Sequence, residues 1–323
     1  MKQNLAMIVA ALALSLPVVG CKKASTVAVT TVAAPSGPVE LKLKWPVGRR
    51  LVQNFGEQEG GEIVVAGMSQ STRQDKTTEQ KFAVSIVKER AVGGHETEWK
   101  LLSCRMGVTN GTDTLLSFDT AQKSARDTVA GAFQRVVGSK VRCLLDYRGC
   151  VEKVDGAEDV RARLLSGVRG DSAALIKGMF DPGYFKRMLV LNSGQMLPEN
   201  PVAPGDTWPA QFEIPLENCG SMVLDFTCTL QNWEQHDGRY CAHIAMAGTL
   251  RFDPSEATPG VSLSFEEGHC SGEMCFDLDL GTFVETSVQM ELKLLVTPPV
   301  ASHQPTVRYV GTGVCTTRLE SVL

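Results

Sequence analysis

The residues with the most chemistry to offer in this sequence are its cysteines and histidines. Ten cysteines stand at Cys21, Cys104, Cys143, Cys150, Cys219, Cys228, Cys241, Cys270, Cys275 and Cys315. A thiol can carry a lipid, pair as a disulfide or bind a soft metal, and compartment and spacing decide among these. Cys270 and Cys275 flank Ser271-Gly272-Glu273-Met274. If Gly272-Glu273 is a two-residue hairpin turn, the two cysteines face each other in a non-hydrogen-bonded pair, which makes them the candidate disulfide. The histidines are His95, His236, His243, His269 and His303. His243 follows Cys241 by two residues and His269 adjoins Cys270, types that zinc accepts. No Cys-x-x-Cys pair or histidine-rich tract accompanies them, so neither metal nor cofactor is assigned.

Catalytic patterns are sparse. Gly-x-Gly-x-x-Gly, the phosphate-binding loop, His-Glu-x-x-His and Gly-x-Ser-x-Gly do not occur. Ser85-x-x-Lys88 has a nucleophile-and-base spacing that works only on one helical face, and the surrounding residues alternate as a strand. Gly170-Asp171-Ser172 is similar to the nucleophile block of a lipase-like hydrolase group, but it lies between helical segments and no Asp-x-x-His follows. Acidic stretches at 57–62, 266–267 and 277–279 read as solvated loops and strand ends. No catalytic residue is expected.

Lys2 precedes an apolar run from Leu5 to Val19, broken only by Ser15 and Pro17, and Val18-Val19-Gly20-Cys21 closes it. At about 15 residues the run is shorter than the roughly 20 a membrane-crossing helix needs, and it has the make-up of a signal peptide. The closing tetrad resembles the lipobox of bacterial lipoproteins, which implies cleavage before Cys21 and lipidation of that cysteine. Several acyl chains on one residue anchor firmly, each buried methylene contributing about 0.8 kcal/mol. Residues 22–38 are Ala, Ser, Thr, Val and Pro with two lysines and no periodic apolar face, and read as a tether. Lys22 is not the inner-membrane retention aspartate of Gram-negative lipoproteins. The expected location is the cell envelope, facing the extracytoplasmic side, and the outer membrane where two membranes are present.

The formal charge of −4 and the lack of a clustered basic stretch argue against nucleic acid as a partner. With Cys21 lipidated, nine cysteines remain, so at least one thiol is unpaired and at least one disulfide is expected in an oxidising compartment.

The elements that must position these residues are mostly strands. Val284, Thr286, Val288, Met290, Leu292, Leu294 and Val296 alternate with polar residues, a half-buried strand long enough to force its sheet to twist. Further strands are expected over 49–66, 81–90, 96–108, 222–233, 239–247 and 306–318. Turn signals fall at Gly93-Gly94, Asp146-Tyr147-Arg148-Gly149, His236-Asp237-Gly238 and Leu280-Gly281. Helical spacing appears over 119–137 and 157–190, the latter opened by Glu158 and Asp159 and broken near Gly170 and at Asp181-Pro182-Gly183. Gly48, Leu51 and Phe55 echo Gly205, Trp208 and Phe212, a sign of duplication.

The expected fold is mainly β (α+β): two curved antiparallel sheets, read as duplicated half-barrel-like halves, joined by a short helical segment. Its parts are a signal peptide (1–20), an anchored cysteine and linker (21–40), an N-terminal β half (41–155), a helical segment (156–190) and a C-terminal β half (191–323). Leu43-Lys44-Trp45-Pro46-Val47-Gly48, Leu145-Asp146-Tyr147-Arg148-Gly149-Cys150-Val151, Leu197-Pro198, Pro204-Gly205-Asp206-Thr207-Trp208, and Phe276-Asp277 before Gly281 resemble an uncharacterised bacterial lipoprotein family, a domain of unknown function. That resemblance implies a fold and brings no catalytic residue.

The leading functional expectation is a non-catalytic envelope module that binds membrane lipid through Cys21 and an unknown envelope protein or cell-wall polymer. The alternative is a carrier of an apolar ligand such as lipid, and a hydrolase comes third. The carrier reading rests on Met222, Leu224, Phe226, Met290, Leu292 and Leu294 facing one way beneath helices, in an architecture similar to the half-barrels of lipoprotein-localisation factors. The same stripe is required simply to pack those helices onto the sheet.

Overall fold

Alternation of apolar and polar residues becomes a set of long antiparallel strands. The computed structural model describes residues 30–33, 35–68, 71–122, 128–169, 173, 176, 179–180, 182–216, 219–257, 262–297 and 305–323. The strands are β1 (Thr30–Thr31), β2 (Arg50–Val65), β3 (Thr72–Glu89), β4 (His95–Asn110), β5 (Asp113–Asp119), β6 (Lys140–Leu145), β7 (Val151–Asp155), β8 (Thr207–Leu216), β9 (Cys219–His236), β10 (Arg239–Ala257), β11 (Ser262–Asp277), β12 (Thr282–Thr297) and β13 (Val307–Val322). They form one sheet in the order β1-β9-β10-β11-β12-β13-β2-β3-β4-β6-β7, with β5 on β4 and β8 beside β1 on β9. The fold is thus mainly β, as alternation demands, but the two expected sheets are one: β13 pairs with β2 along its length and welds the halves together.

Turn chemistry sets the register. Arg239 pairs with His236, so Asp237-Gly238 is a two-residue loop, and both residues have positive φ, 49° and 77°. That is the conformation a type I′ hairpin requires, and Asp-Gly supplies it at little steric cost. One expected turn is absent. β11 runs unbroken from Ser262 to Asp277, with Gly272 opposite both Met246 of β10 and Val288 of β12. Gly272 is small because the backbone at Ser287 and Val288 passes where its Cβ would stand.

The internal echo extends to hydrogen bonds. The Gly48 N–H donates to the Ile86 carbonyl, and the Ile86 N–H to that of Arg49; likewise the Gly205 N–H donates to Leu230, and Leu230 to Asp206. Gly48 and Gly205 share a left-handed backbone, φ 91° and 97°, and each leads into a strand, β2 or β8, paired with the next one in sequence. The two halves therefore begin with the same turn and the same strand pair.

Among the described residues, three α-helices serve the N-terminal half. In α1 (Val129–Val136), Thr128 caps the first turn by accepting from the Gly131 N–H, and Val129, Ala132, Phe133 and Val136 face inward. Phe133 stacks on Phe118 of β5 with ring centroids 4.5 Å apart. α2 (Ala157–Leu165) buries Val160 and Leu164, with Glu158 and Asp159 at its positive end. α3 (Pro182–Val190) starts on proline, whose missing N–H is not needed there, and buries Phe185 and Leu189. These side chains and the inner faces of β2 to β6 form one core.

The core of the C-terminal half is built differently. Its members come from β8 to β13 together with Ile63, Leu41 and the 196–202 loop, while the end of α3 adds only Val190 and Leu191 at the margin. This half buries its apolar face by curling strands of 16 to 19 residues onto one another. Residues 41–45 strap the two halves. Leu41 and Leu43 join the C-terminal core and Trp45 the N-terminal one, and the Lys44 N–H donates to the Gly281 carbonyl at 2.9 Å.

Candidate functional site

Two groups of ionisable side chains are buried, one on each face of the sheet. The first lies on the outer face where β9 to β12 end. Two β-bulges create it. On β9 the pairing steps from Leu230 opposite Ile244 to Asn232 opposite His243, leaving Gln231 as an extra residue. On β12 it steps from Phe283 opposite Phe276 to Glu285 opposite Cys275, leaving Val284. Each extra residue reverses the alternation beyond it. On β9, Trp233 therefore turns into the core and stacks on Tyr240 at 5.5 Å, while Glu234 and His236 are delivered to the other face; on β12 the extra residue turns Phe283 into the core, and Glu285 keeps the outer face by the plain alternation of the strand.

There they meet across strands that are not neighbours. The Cys275 thiol on β11 donates to Glu234 Oε1 on β9 at 3.2 Å. His236 Nε2 on β9 lies 3.0 Å from Glu285 Oε2 on β12, and its Nδ1 lies 3.7 Å from Glu234 Oε1. His243 Nδ1 stands 3.5 Å from the other Glu234 oxygen. At one end Arg318 of β13 reaches Asp237 in the β9–β10 turn at 2.8 Å. In a flat sheet β10 and β13 would be three strand spacings, roughly 14 Å, apart. The outer face is thus folded into a trough here, and Glu234, His236 and Cys275 are only 3%, 5% and 8% exposed within it.

Electrostatics follow burial. Glu285 beside Nε2 holds His236 above the ordinary imidazole value, against the opposing effect of burial. Burial first, and Glu234 second, push the Cys275 thiol far upward; burial pushes neighbouring Cys241 up to about 12. These are protonated thiols, not nucleophiles. His236 Nδ1 is buried without a hydrogen-bond partner. The tether runs alongside: Thr31 pairs with Glu234 and Thr30 with Gln235, and a cleft of about 400 Å³ opens between Val32, Tyr240 and Asp279.

The second group is a polar seam on the inner face, between the two apolar cores. Lys76 Nζ of β3 lies 2.8 Å from Glu57 and 3.4 Å from Glu59 of β2. Burial, which would discharge Lys76, is outweighed by the two carboxylates, so its pKa stays above the lysine value. Burial raises Glu59 well above the carboxylate range in spite of Lys76, with Glu57 adding to the rise. Tyr184 of α3 donates to Gln80, and Asn192 joins Thr317 and Thr286 at 3.0 and 2.9 Å. The acidic stretch at 57–62 was expected in solvent. Glu57 and Glu59 instead share the inner face of Leu51 and Phe55, a parity legible by counting in twos along β2.

The other expected site residues fall as follows. Cys21 lies outside the described residues. The Cys270–Cys275 disulfide is overturned: both sit on β11, five positions apart on opposite faces, Cys270 in the core and Cys275 in the trough. Cys104, Cys143, Cys150, Cys228, Cys241, Cys270, Cys275 and Cys315 are all free thiols. Met222, Leu224, Phe226, Met290, Leu292 and Leu294 share one core and are between 0% and 3% exposed. Ser85 and Lys88 lie on β3, not on a helix, and Gly170-Asp171-Ser172 lies outside the described residues. No helix among the described residues is long and apolar enough to cross a membrane.

Residues 95–281, more than half of the chain, match a family of unknown function, DUF6263, and the chain belongs to that family. The matched span holds the turn motifs at 145–151, 204–208 and 276–281; the 43–48 motif precedes it. No curated protein matches the sequence. Among solved structures, one titled for lipid–protein interactions in lipovitellin is similar at a TM-score of 0.45 and 9% identity, over 87% of this chain and 26% of that one. The chain therefore spans about a quarter of that protein's length. DynF from the dynemicin biosynthesis pathway of Micromonospora chersina is similar at a TM-score of 0.20 and 10% identity, over 92% of both chains. A DUF1329 family protein from Desulfovibrio piger follows at 0.13 and 8%, over 83% and 85%.

Proposed function

We propose that this DUF6263 protein is an envelope lipoprotein, held to a membrane by lipid on Cys21, whose folded part is a non-catalytic module that binds another envelope macromolecule. The supporting observation is the fate of its apolar face. A carrier of lipid needs a lined space of roughly 300–1,000 Å³, and the six apolar side chains that would line it are at most 3% exposed and belong to one packed core. The stripe is consumed by folding. What the module offers a partner is its outer face and its turns. Native mass spectrometry of the purified full chain, with an environment-sensitive lipid probe, tests this. The expected result is a chain free of apolar ligand and indifferent to the probe. A stoichiometric bound lipid would replace the module with the carrier. Fractionation tests the anchor: Cys21→Ser protein is expected to leave the membrane fraction after a salt wash, and retention there would reject it.

A further inference from the structure

We propose that Glu234, His236 and Cys275 form a binding site for a divalent transition-metal ion of the zinc class, in which Glu285 orients His236. This goes beyond the binding-module reading and does not depend on it.

The donor atoms already stand at the corners that such an ion needs. Bonds of about 2.1 Å to nitrogen or oxygen and 2.3 Å to sulfur imply tetrahedral edges of roughly 3.4–3.7 Å. Glu234 Oε1 lies 3.2 Å from Cys275 Sγ and 3.7 Å from His236 Nδ1, and the three donors are all within 4.8 Å of one another. Sulfur and imidazole among them disfavour calcium and magnesium, which take oxygen shells. His236 has the second partner that metal-bound histidines usually have: Nε2 faces Glu285 at 3.0 Å, leaving Nδ1 for the ion.

The polar atoms are also incompletely satisfied without a cation. His236 Nδ1 is buried with no hydrogen-bond partner, and the Glu234 side chain, 3% exposed, faces a thiol and two imidazoles. A divalent ion would take up the Nδ1 lone pair and displace the Cys275 proton to solvent as the thiolate ligates.

The test uses the full chain in detergent with a thiol-free reductant, stripped by a chelator and then titrated with Co²⁺ and Zn²⁺. One Co²⁺ per chain should bind with a thiolate-to-metal charge-transfer absorption, and Zn²⁺ should displace it. Cys275→Ser should abolish that absorption, while Cys241→Ser, at a buried thiol beside the site, should keep it. Glu285→Gln should weaken Zn²⁺ binding roughly 10- to 100-fold, the usual effect of losing such a second partner. Wild-type protein with native circular dichroism that binds no Co²⁺ would overturn the proposal, whatever the variants do. So would an absorption that survives in Cys275→Ser.

Discussion

The ring of Tyr309 lies over Gly61 on the neighbouring strand and fills the space that a side chain at Gly61 would need. Gly311, paired with Gly61, opens the same space from the other strand. The ring covers the seam where the two halves join and is 3% exposed. A methyl group at Gly61 would collide with an aromatic side chain that has nowhere to go. Gly61→Ala should therefore lower stability by about 1–3 kcal/mol, the range for overpacking. Gly107→Ala, where a Cβ meets nothing within 4 Å, should stay within about 0.5 kcal/mol of wild type. Urea midpoints measure both, and equal effects would refute the packing account.

Lys76 is the counter-charge of Glu57 and Glu59, and all three lie on the inner face. Lys76→Met should cost about 3–5 kcal/mol, because it leaves buried carboxylates without their counter-charge. Adding Glu57→Gln and Glu59→Gln to Lys76→Met should recover much of that loss. A triple variant no more stable than Lys76→Met would show that packing of the lysine stem, rather than charge, matters here.

Glu59 gives the pH dependence a definite sign. Its folded pKa is raised above the ordinary 4.5, so between 4.5 and the raised value the folded state binds more protons than the unfolded one. Its contribution is complete below 4.5 and is lost as pH rises through the folded value. Glu59→Gln should remove that downward slope, and the variant should gain on wild type steadily from pH 5 to pH 8. Denaturation curves at several pH values decide it; parallel curves would mean that Glu59 does not hold the proton.

Leu292 tests whether the apolar face is core. At 2% exposure inside the C-terminal cluster, Leu292→Ala should cost about 2–5 kcal/mol. A ligand-lining residue would lose less stability and change probe binding instead.

Much of this fold could be read from the sequence because period-two alternation and turn chemistry agree. β12 shows unbroken alternation from Thr286 to Val296, and Asp237-Gly238 sits in the turn its residues favour. The two glycine turns at Gly48 and Gly205 were visible as an echo and prove to share their hydrogen bonds. The trough could not be read in this way. Counted in twos from Met222, His236 falls on the core face, and only the extra residue at Gln231 turns it outward. Glu285, by contrast, lies on the outer face by the plain alternation of β12. A bulge is one residue long and has no composition of its own, so alternation cannot reveal it. β11 was misread because Gly272 was taken for a turn, when its smallness answers the close passage of β12.

The pairing of β1 with β9 has a mechanical consequence. Only Thr30 and Thr31 pair there, helped by the Val32 N–H on the Trp233 carbonyl and the Tyr240 hydroxyl on the Ala33 carbonyl. The next attachment is the mutual bridge between Val39 and Val202. With lipid on Cys21, as proposed, a pull on the anchor loads this short clip first and peels it bond by bond. While it holds, eight residues separate the lipidated Cys21 from Thr30, at most about 30 Å of chain. Once it lets go the leash runs to Val39 and roughly doubles, to about 60 Å. Given the proposed anchor, the strand edge would be a latch that sets two distances between the body and the membrane.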